Sequence, residues 1–460
     1  MRSVGALFAR LKRLVTPGES LTQRSIAGGF WMGMTKVASR GLQVAMVVVL
    51  ANLLSPAQFG VMGVALLMLS AMTRLSKLGL NSALIYNENE NVNAYLNTTW
   101  TLMLARGLLL AGITVLIAPT VANVFGEPRL VAILPVMALG PLLDGVRNPG
   151  IVYFKKDLEF QRQFVYDVGG SLVQFGVAVG YALVNPTIWA LVLGYIASSA
   201  TRAFISYFLH EFNPRPRFDI ERARELIGYG KWMTASNALN FVKNEGDDAF
   251  IGWFLAASSL GFYQMAYRLA NAPATEISHV ISGVAFPAYS KVQDDYDALR
   301  TGFVRVINLS TFIAFPVGIG IAAVAPTFTR AFLGEEWLPM VLTMQLFAIY
   351  GTSRSFASTF GSVWQAVGRP DLLTKLQMLA IAGMVIGIYP ATDQYGIAGA
   401  AAVILVVNVV MMLPINMYVT VKQIDMRFLD LASEVVYPIT ASSVMGIVVW
   451  LVQANLTLPW

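Results

Sequence analysis

Apolar blocks long enough to cross a bilayer recur from one end of this sequence to the other, as in "LQVAMVVVLANLL", "LLLAGITVLIAP" and "MLAIAGMVIGIYP". A helix of about 20 apolar residues spans the ~30 Å hydrocarbon layer. It also satisfies its backbone hydrogen bonds internally, as a segment in lipid must. The chain therefore reads as an all-α polytopic membrane protein. A membrane β-barrel would alternate apolar and polar residues in strands of about ten, and that alternation is missing. Charge content agrees: 13% of the 460 residues are charged, about half of the ~25% typical of soluble domains.

Turn chemistry at Ser55-Pro56, Asn185-Pro186, Gly368-Arg369-Pro370 and Tyr389-Pro390 separates the blocks. About thirteen spans are expected, at 25–51, 57–80, 93–118, 128–150, 161–184, 187–209, 226–254, 259–288, 301–326, 338–366, 371–390, 395–421 and 431–453. Alternate connections are basic: Arg10, Lys12 and Arg13; Lys155, Lys156 and Arg162; Arg215, Arg217, Arg222 and Arg224; Lys291 and Arg300; Arg369 and Lys375; Lys422 and Arg427. The others hold almost no Lys or Arg, with Arg129 and Arg330 the exceptions. Basic connections stay in the cytoplasm, so the N-terminus is expected inside and "QANLTLPW" outside. The first apolar block is too long for a cleavable signal peptide and lacks a small-residue cleavage site.

Several function classes drop out. The chain has no cysteine, so thiol chemistry is excluded. Its two histidines, His210 and His279, are too few for a His-based metal cluster. No GxxxxGK[ST] loop is present, so no P-loop nucleotide site is expected. The net charge of +6 follows membrane topology rather than a nucleic-acid partner. No cofactor and no enzymatic activity are expected.

Residues 1–24 precede the first span. Val4, Leu7, Phe8, Leu11 and Leu14 share one helical face, and Arg2, Arg10, Lys12 and Arg13 decorate the rest. Two readings stand: an amphipathic helix on the inner leaflet, or a disordered basic tail. Trp31-Met32 and Phe59-Gly60 match Trp232-Met233 and Leu260-Gly261 at one common offset. Six spans separate the copies, so the halves are expected in the same orientation, as in transporters built from parallel repeats. The expected plan is a lobe at 25–210, a cytoplasmic linker at 211–225, which takes in most of "HEFNPRPRFDIERAR", a second lobe at 226–421, and an extra span at 422–460.

Charges inside spans carry the functional reading. A charge at the bilayer centre costs ~2.5–3.5 kcal/mol even on the lenient insertion scale. Such residues face a wet cavity, pair, or snorkel. Arg74, Lys77 and Arg147 lie near cytoplasmic span ends, and Lys231 near the entry of its span, so snorkelling or local pairing serves for them. Arg202 is ambiguous. Lys36 and Arg40 lie deeper and share a face, and Arg106 sits mid-span in "LMLARGLLLAG" with no acid along its own helix. Lys243 has Asp247 four residues on, which allows a local ion pair. Arg268 and Arg354 complete the set, the latter among small hydroxylated residues in "IYGTSRSFASTF".

The interior acids include Glu245, Asp247, Asp248 and Glu276, all candidates for ion coupling or gating. His279, one turn after Glu276, is a candidate proton carrier. Cations exceed nearby acids in the first half. A cationic, low-dielectric cavity attracts phosphate or pyrophosphate. Lys36, Arg40, Arg106, Arg268, Arg354 and Lys243 are thus the candidate substrate-binding residues, against the alternative that they pair across helices and lock packing.

Four stretches carry a family resemblance. "LANLLSPAQFGVMGVALLMLSAMTRLSKLGLNSALI" resembles the Leu-Ser/Thr-Pro-x-x-Phe-Gly turn, followed by a Leu-Gly, of Wzx-type polysaccharide flippases. "DDAFIGWFLAASSLGFYQMAYRLANAP" and "GVAFPAYSKVQDD" resemble their seventh and eighth spans, and "FLGEEWLP" and "VGRPDLLTK" later connections. The best match is to the colanic-acid-exporter-like (WzxC-like) branch, within the multidrug/oligosaccharidyl-lipid/polysaccharide exporter superfamily. The resemblance implies two six-helix lobes around a central cavity, working by alternating access in a bacterial inner membrane. It implies a polyprenyl-pyrophosphate-linked oligosaccharide as substrate, moved from the inner to the outer leaflet. Besides that substrate and membrane lipid, polysaccharide polymerase machinery is the candidate partner, and a two-lobed transporter can work as a monomer. Some relatives have fourteen spans, which leaves the role of the terminal span open.

Two rival classes are weighed. A drug/cation antiporter on the same scaffold favours a cavity rich in acids. A polysaccharide polymerase or ligase favours a long outer loop, whereas the outer connections here are short.

Overall fold

A computed structural model describes residues 21–76, 93–219, 237–238 and 240–455. The amphipathic segment before the first span, Lys77, Lys231 and the Trp232-Met233 half of the repeat lie outside the described residues. Among those described, regular structure is helical and no strand is present. The chain divides into two compact units, Met1–Ser258 and Ser259–Trp460.

The first unit contains α1 (Leu21–Ala51), α2 (Pro56–Leu75), α3 (Asn93–Val124), α4 (Leu130–Met137), α5 (Leu139–Val146), α6 (Tyr153–Lys156), α7 (Phe160–Val184) and α8 (Trp189–Leu209), then α9 at 240–254. The second contains α10 (Ala257–Ser290, which crosses the boundary), α11 (Tyr296–Phe328), α12 (Val341–Ala366), α13 (Pro370–Val406), α14 (Leu413–Gln423) and α15 (Phe428–Asn455).

Among the described residues, seven helical runs are each long and apolar enough to cross a membrane. An eighth is the bent pair Leu130–Val146 and Pro149–Lys156, which turns by 73°. The other expected spans are helical too, as α8, α9, α10 and α12, but they are shorter or more polar. The polarity is used inside the protein. In α12, Thr343, Thr352, Ser355, Thr359 and Ser362 are buried, and Thr352 Oγ1 donates to the Ala348 carbonyl at 3.0 Å. Hydropathy alone undercounts such helices.

Small residues set the spacing in the first unit. The α3 and α5 backbones touch at Gly107 and Gly145. A Cβ on Gly107 would lie 2.8 Å from the Pro141 carbonyl oxygen, and one on Gly145 2.7 Å from that of Met103. The packing therefore requires that neither residue carry a side chain. Helix α1 lies on α7, where Gly28 leaves room for the Phe160 ring and Trp31 meets Phe164 edge-on at 5.1 Å.

In the second unit, α11 packs between α12 and α15 around Phe303, Phe356, Phe360 and Trp364. The Trp364 indole donates to Thr420 Oγ1 at 2.9 Å, joining α12 to α14. The expected break at Tyr389-Pro390 falls elsewhere: helix runs through Pro390, and the reversal comes at Gly396, with φ 58° and ψ −140°. That conformation is open to glycine and strained for other residues. A π-turn over Val407–Met412 precedes Pro414. The proline has no N–H, and its ring crowds the carbonyl four residues back, so the helix widens there.

Phe59-Gly60 are the fourth and fifth residues of α2, and Leu260-Gly261 the fourth and fifth of α10; both glycines are buried.

The stretch after α8 is tied into the first unit. The His210 ring stacks on Tyr153 at 5.4 Å and 10°, over Gly150, where a side chain would collide with it. His210 Nδ1 accepts from the Phe212 N–H at 3.0 Å, and Phe212 packs with Leu96 and Val152. Asn148 Nδ2 donates to the Phe212 carbonyl at 2.6 Å. Farther on, the Arg215 N–H donates to Asn97 Oδ1 at 2.8 Å and the Arg217 N–H to Thr101 Oγ1 at 3.1 Å. Residues 210–217 thus form a strap along the start of α3.

His210 must be neutral to accept at Nδ1. Burial, first, and Arg162, second, hold its pKa below the ordinary value, while Glu159, Glu211 and Asp157 oppose them. A base with a depressed folded-state pKa contributes stability above its unfolded pKa of about 6.5 and loses it as pH falls toward the folded value. Protection of the amides in the 210–218 peptide, taken relative to their intrinsic exchange rate at each pH, should therefore fall below pH ~6.5. His210→Gln should remove that pH dependence.

Candidate functional site

Lys36 and Arg40 stand one turn apart on α1 with exposed side chains. Arg40 Nη1 donates to Gln43 Oε1 at 3.2 Å. Lipid is the costly surrounding for a pair of cations in mid-helix.

Arg106 is seated differently. Its Nε donates to Ser76 Oγ at 3.0 Å and its Nη2 to the Thr73 carbonyl at 2.7 Å. These groups end α2, where carbonyls lack helical partners and a cation is favoured by the helix dipole. The two bonds use two of five guanidinium donors. Asp144 and Arg147 act on it electrostatically, and Arg147 lies 3.8 Å from Asp144. Helix α1 packs on α7, while α3 packs on α4, α5 and α2. The structure thus joins Lys36 to Arg40 and gives Arg106 a separate set of neighbours.

Arg74 gains a partner that local sequence does not reveal. Its Nη2 lies 2.6 Å from Glu245 Oε1, and its Nε donates to Ser70 Oγ at 3.1 Å. This pair fastens α9 to the end of α2. The arginine side chain is 43% exposed, so the pair is worth about 0.2–1 kcal/mol. A double-mutant cycle of Arg74→Ala and Glu245→Ala in thermal unfolding should recover a coupling of that size; a coupling of zero would mean that the pair is incidental. Lys243, exposed, and Asp247 and Asp248, half-buried, share α9 with Glu245.

In the second unit, Arg354 on α12 faces α10. Its Nη1 donates to Tyr267 Oη at 2.8 Å and its Nη2 to Thr275 Oγ1 at 3.0 Å. Between those partners in the chain lies Asn271, 2% exposed; its amide has no hydrogen-bond partner among the described residues. Arg268 is exposed on α10, and Glu276 is half-buried. His279 lies in the same helix, but its side chain falls outside the described residues. Sequence reasoning found Arg354 but missed Tyr267, Asn271 and Thr275. Their signal was a polar stripe four residues apart in an otherwise apolar helix. Among the described residues, no group of acids and imidazoles suits a metal ion.

Comparison with known proteins agrees with this architecture. A family model described as polysaccharide biosynthesis protein matches residues 49–342. The lipopolysaccharide biosynthesis protein WzxC of Escherichia coli (strain K12) is 26% identical over 374 residues, 80% of this chain and 76% of that one. The teichuronic acid biosynthesis protein TuaB of Bacillus subtilis (strain 168) is 22% identical over 431 residues, covering 93% and 89% of the two chains. Among solved structures, the lipid II flippase MurJ in an inward closed conformation superposes with a TM-score of 0.71 at 12% identity, over 94% of this chain and 98% of that one. That likeness establishes the shared fold. The chain belongs to the polysaccharide biosynthesis protein family, as a multi-pass membrane protein with the fold seen in the lipid II flippase MurJ.

Proposed function

We propose that this protein is a flippase for a polyprenyl-pyrophosphate-linked oligosaccharide, carrying it from the inner to the outer leaflet of a bacterial inner membrane by alternating access. The family match over residues 49–342 carries the reading, and the lipid II flippase fold is consistent with it. The chain sits with its N-terminus in the cytoplasm, where its basic connections gather. The pyrophosphate is drawn to the cations of the first lobe. Lys36 and Arg40, which share one face of a span and expose their side chains, form its main contact. Arg106, fixed against the end of α2, adds field and retains further donors. Lys243 in the first unit, and Arg268 and Arg354 in the second, the latter held by Tyr267 and Thr275, are further candidate contacts for the substrate. Binding of the anion relieves repulsion among the cations and favours the state that closes around it. An ion gradient or the membrane potential supplies the energy, with Glu245, Asp247, Asp248, Glu276 and His279 as candidate coupling groups; 100 mV is worth ~2.3 kcal/mol per charge moved.

The test is genetic. Deletion of the gene should leave polyprenyl-linked repeat units stalled in the inner leaflet. Wild-type protein should clear them, and Lys36→Ala/Arg40→Ala should not. Normal surface polysaccharide in the deletion strain, together with drug efflux by the protein, would replace this reading with the antiporter.

A further inference from the structure

The strap at 210–217 was expected to be a polar linker, yet it is built as a docked element. Only alternate residues spend an N–H on α3: Arg215 on Asn97 and Arg217 on Thr101. The intervening positions are Pro214 and Pro216, which have no N–H to leave unsatisfied. The one Thr101 hydroxyl proton lies between the carbonyls of Asn97, at 2.9 Å, and Arg217, at 3.1 Å. Period two sends the side chains of residues 215 and 217 to the same side, about 7 Å apart at their origins. Both are exposed. Among the described residues neither guanidinium has an acidic partner. Phe218 follows, 56% exposed.

The face of α3 that receives the strap continues away from it as an apolar stripe. Leu108 lies two turns beyond Thr101 on nearly the same face, and Leu108, Val115 and Leu116 are 55%, 46% and 78% exposed. A fixed pair of guanidinium forks therefore stands at the foot of an apolar track about 20 Å long.

We propose that the strap binds the pyrophosphate headgroup of a lipid in the cytoplasmic leaflet, with Arg215 and Arg217 each forking one phosphate and the tail lying along Leu108, Val115 and Leu116. This rests on the flippase reading and deepens it: the strap is where the substrate is first captured, before it reaches the cations of the spans. A diphosphate offers two pairs of non-bridging oxygens to two forks, whereas a phosphodiester lipid offers one. The anchoring bonds come from the backbone of residues 215 and 217, so side-chain substitution leaves the strap docked.

The experiment uses the full chain in nanodiscs, with retention of undecaprenyl pyrophosphate, undecaprenyl phosphate and phosphatidylglycerol read by native mass spectrometry. Wild type should retain the pyrophosphate lipid in preference to the other two. Arg215→Gln/Arg217→Gln should weaken that retention by ~10-fold or more, the size of a lost charge-assisted contact, and leave phosphatidylglycerol unchanged. Arg215→Lys/Arg217→Lys keeps the charge that sets topology but loses the forks, and should fall between. Thr101→Val removes an anchor and should weaken retention with both arginines present. Unchanged retention in the Gln pair would overturn the proposal. So would an equal loss for phosphatidylglycerol, which would make the strap a general anionic-lipid anchor. The same samples separate the two readings. A wild type that retains the lipid at the strap but does not translocate it sinks the flippase. Translocation that survives the Gln pair with full retention sinks only the strap.

Discussion

Lys36→Ala/Arg40→Ala should lower export of the lipid-linked repeat unit by at least ~10-fold, with expression and thermal stability near wild type. Both side chains are exposed, so truncation leaves no cavity, and surface substitutions of this sort change stability by only about 0.5 kcal/mol. The loss is a loss of charge-assisted contacts to the pyrophosphate, each worth ~1.5–3 kcal/mol. Lys36→Arg/Arg40→Lys, which exchanges the types but keeps both charges, should retain part of the activity. Export is read as surface polysaccharide in the deletion strain. Wild-type export by the double alanine variant would place the headgroup elsewhere.

Gly107→Val should be strongly destabilising. Its Cβ would lie 2.8 Å from the Pro141 carbonyl oxygen and 3.2 Å from the Gly145 Cα. Both are backbone atoms that cannot turn aside, and overpacking of this kind costs ~1–3 kcal/mol or more. Separation of α3 from α5 would also move Arg106, the neighbouring residue, off the end of α2. Thermal unfolding of purified protein should show a clear fall, and export should fall with it. Gly112→Val on the same helix is the control, because a Cβ there meets nothing within 4 Å. Equal behaviour of the two variants would mean that the α3–α5 contact does not limit stability.

Much of the architecture was legible because the bilayer imposes it. Apolar length, turn residues and basic connections are strong signals, and the expected limits 57–80 and 338–366 lie within a few residues of the starts of α2 and α12. The misplaced reversal at Tyr389-Pro390 has a simple cause. Proline marks a break only where the chain cannot tolerate one missing bond, and the turn was made by Gly396 beyond it.

The candidate site was less legible, because charges in spans are matched by groups remote in sequence. Arg106 has no acid along its helix, yet its partners are a carbonyl and a hydroxyl at the end of α2. Arg74 reads as snorkelling or local pairing, since Glu245, its partner, lies far along the chain on α9. The strap read as a linker because a polar, proline-rich stretch has that composition whether or not its N–H groups are used. The alternation of arginine and proline in "NPRPRF" was the signal for docking.

The most direct measurement is translocation by the purified protein in proteoliposomes. A polyprenyl-pyrophosphate-linked oligosaccharide is placed in both leaflets, and its exposure to a membrane-impermeant sugar oxidant is followed in time. Wild type should bring the protected inner pool to the outside, and Lys36→Ala/Arg40→Ala should leave about half of the lipid protected, as empty vesicles do. Protection that persists with wild-type protein under an imposed ion gradient and membrane potential would contradict the assignment.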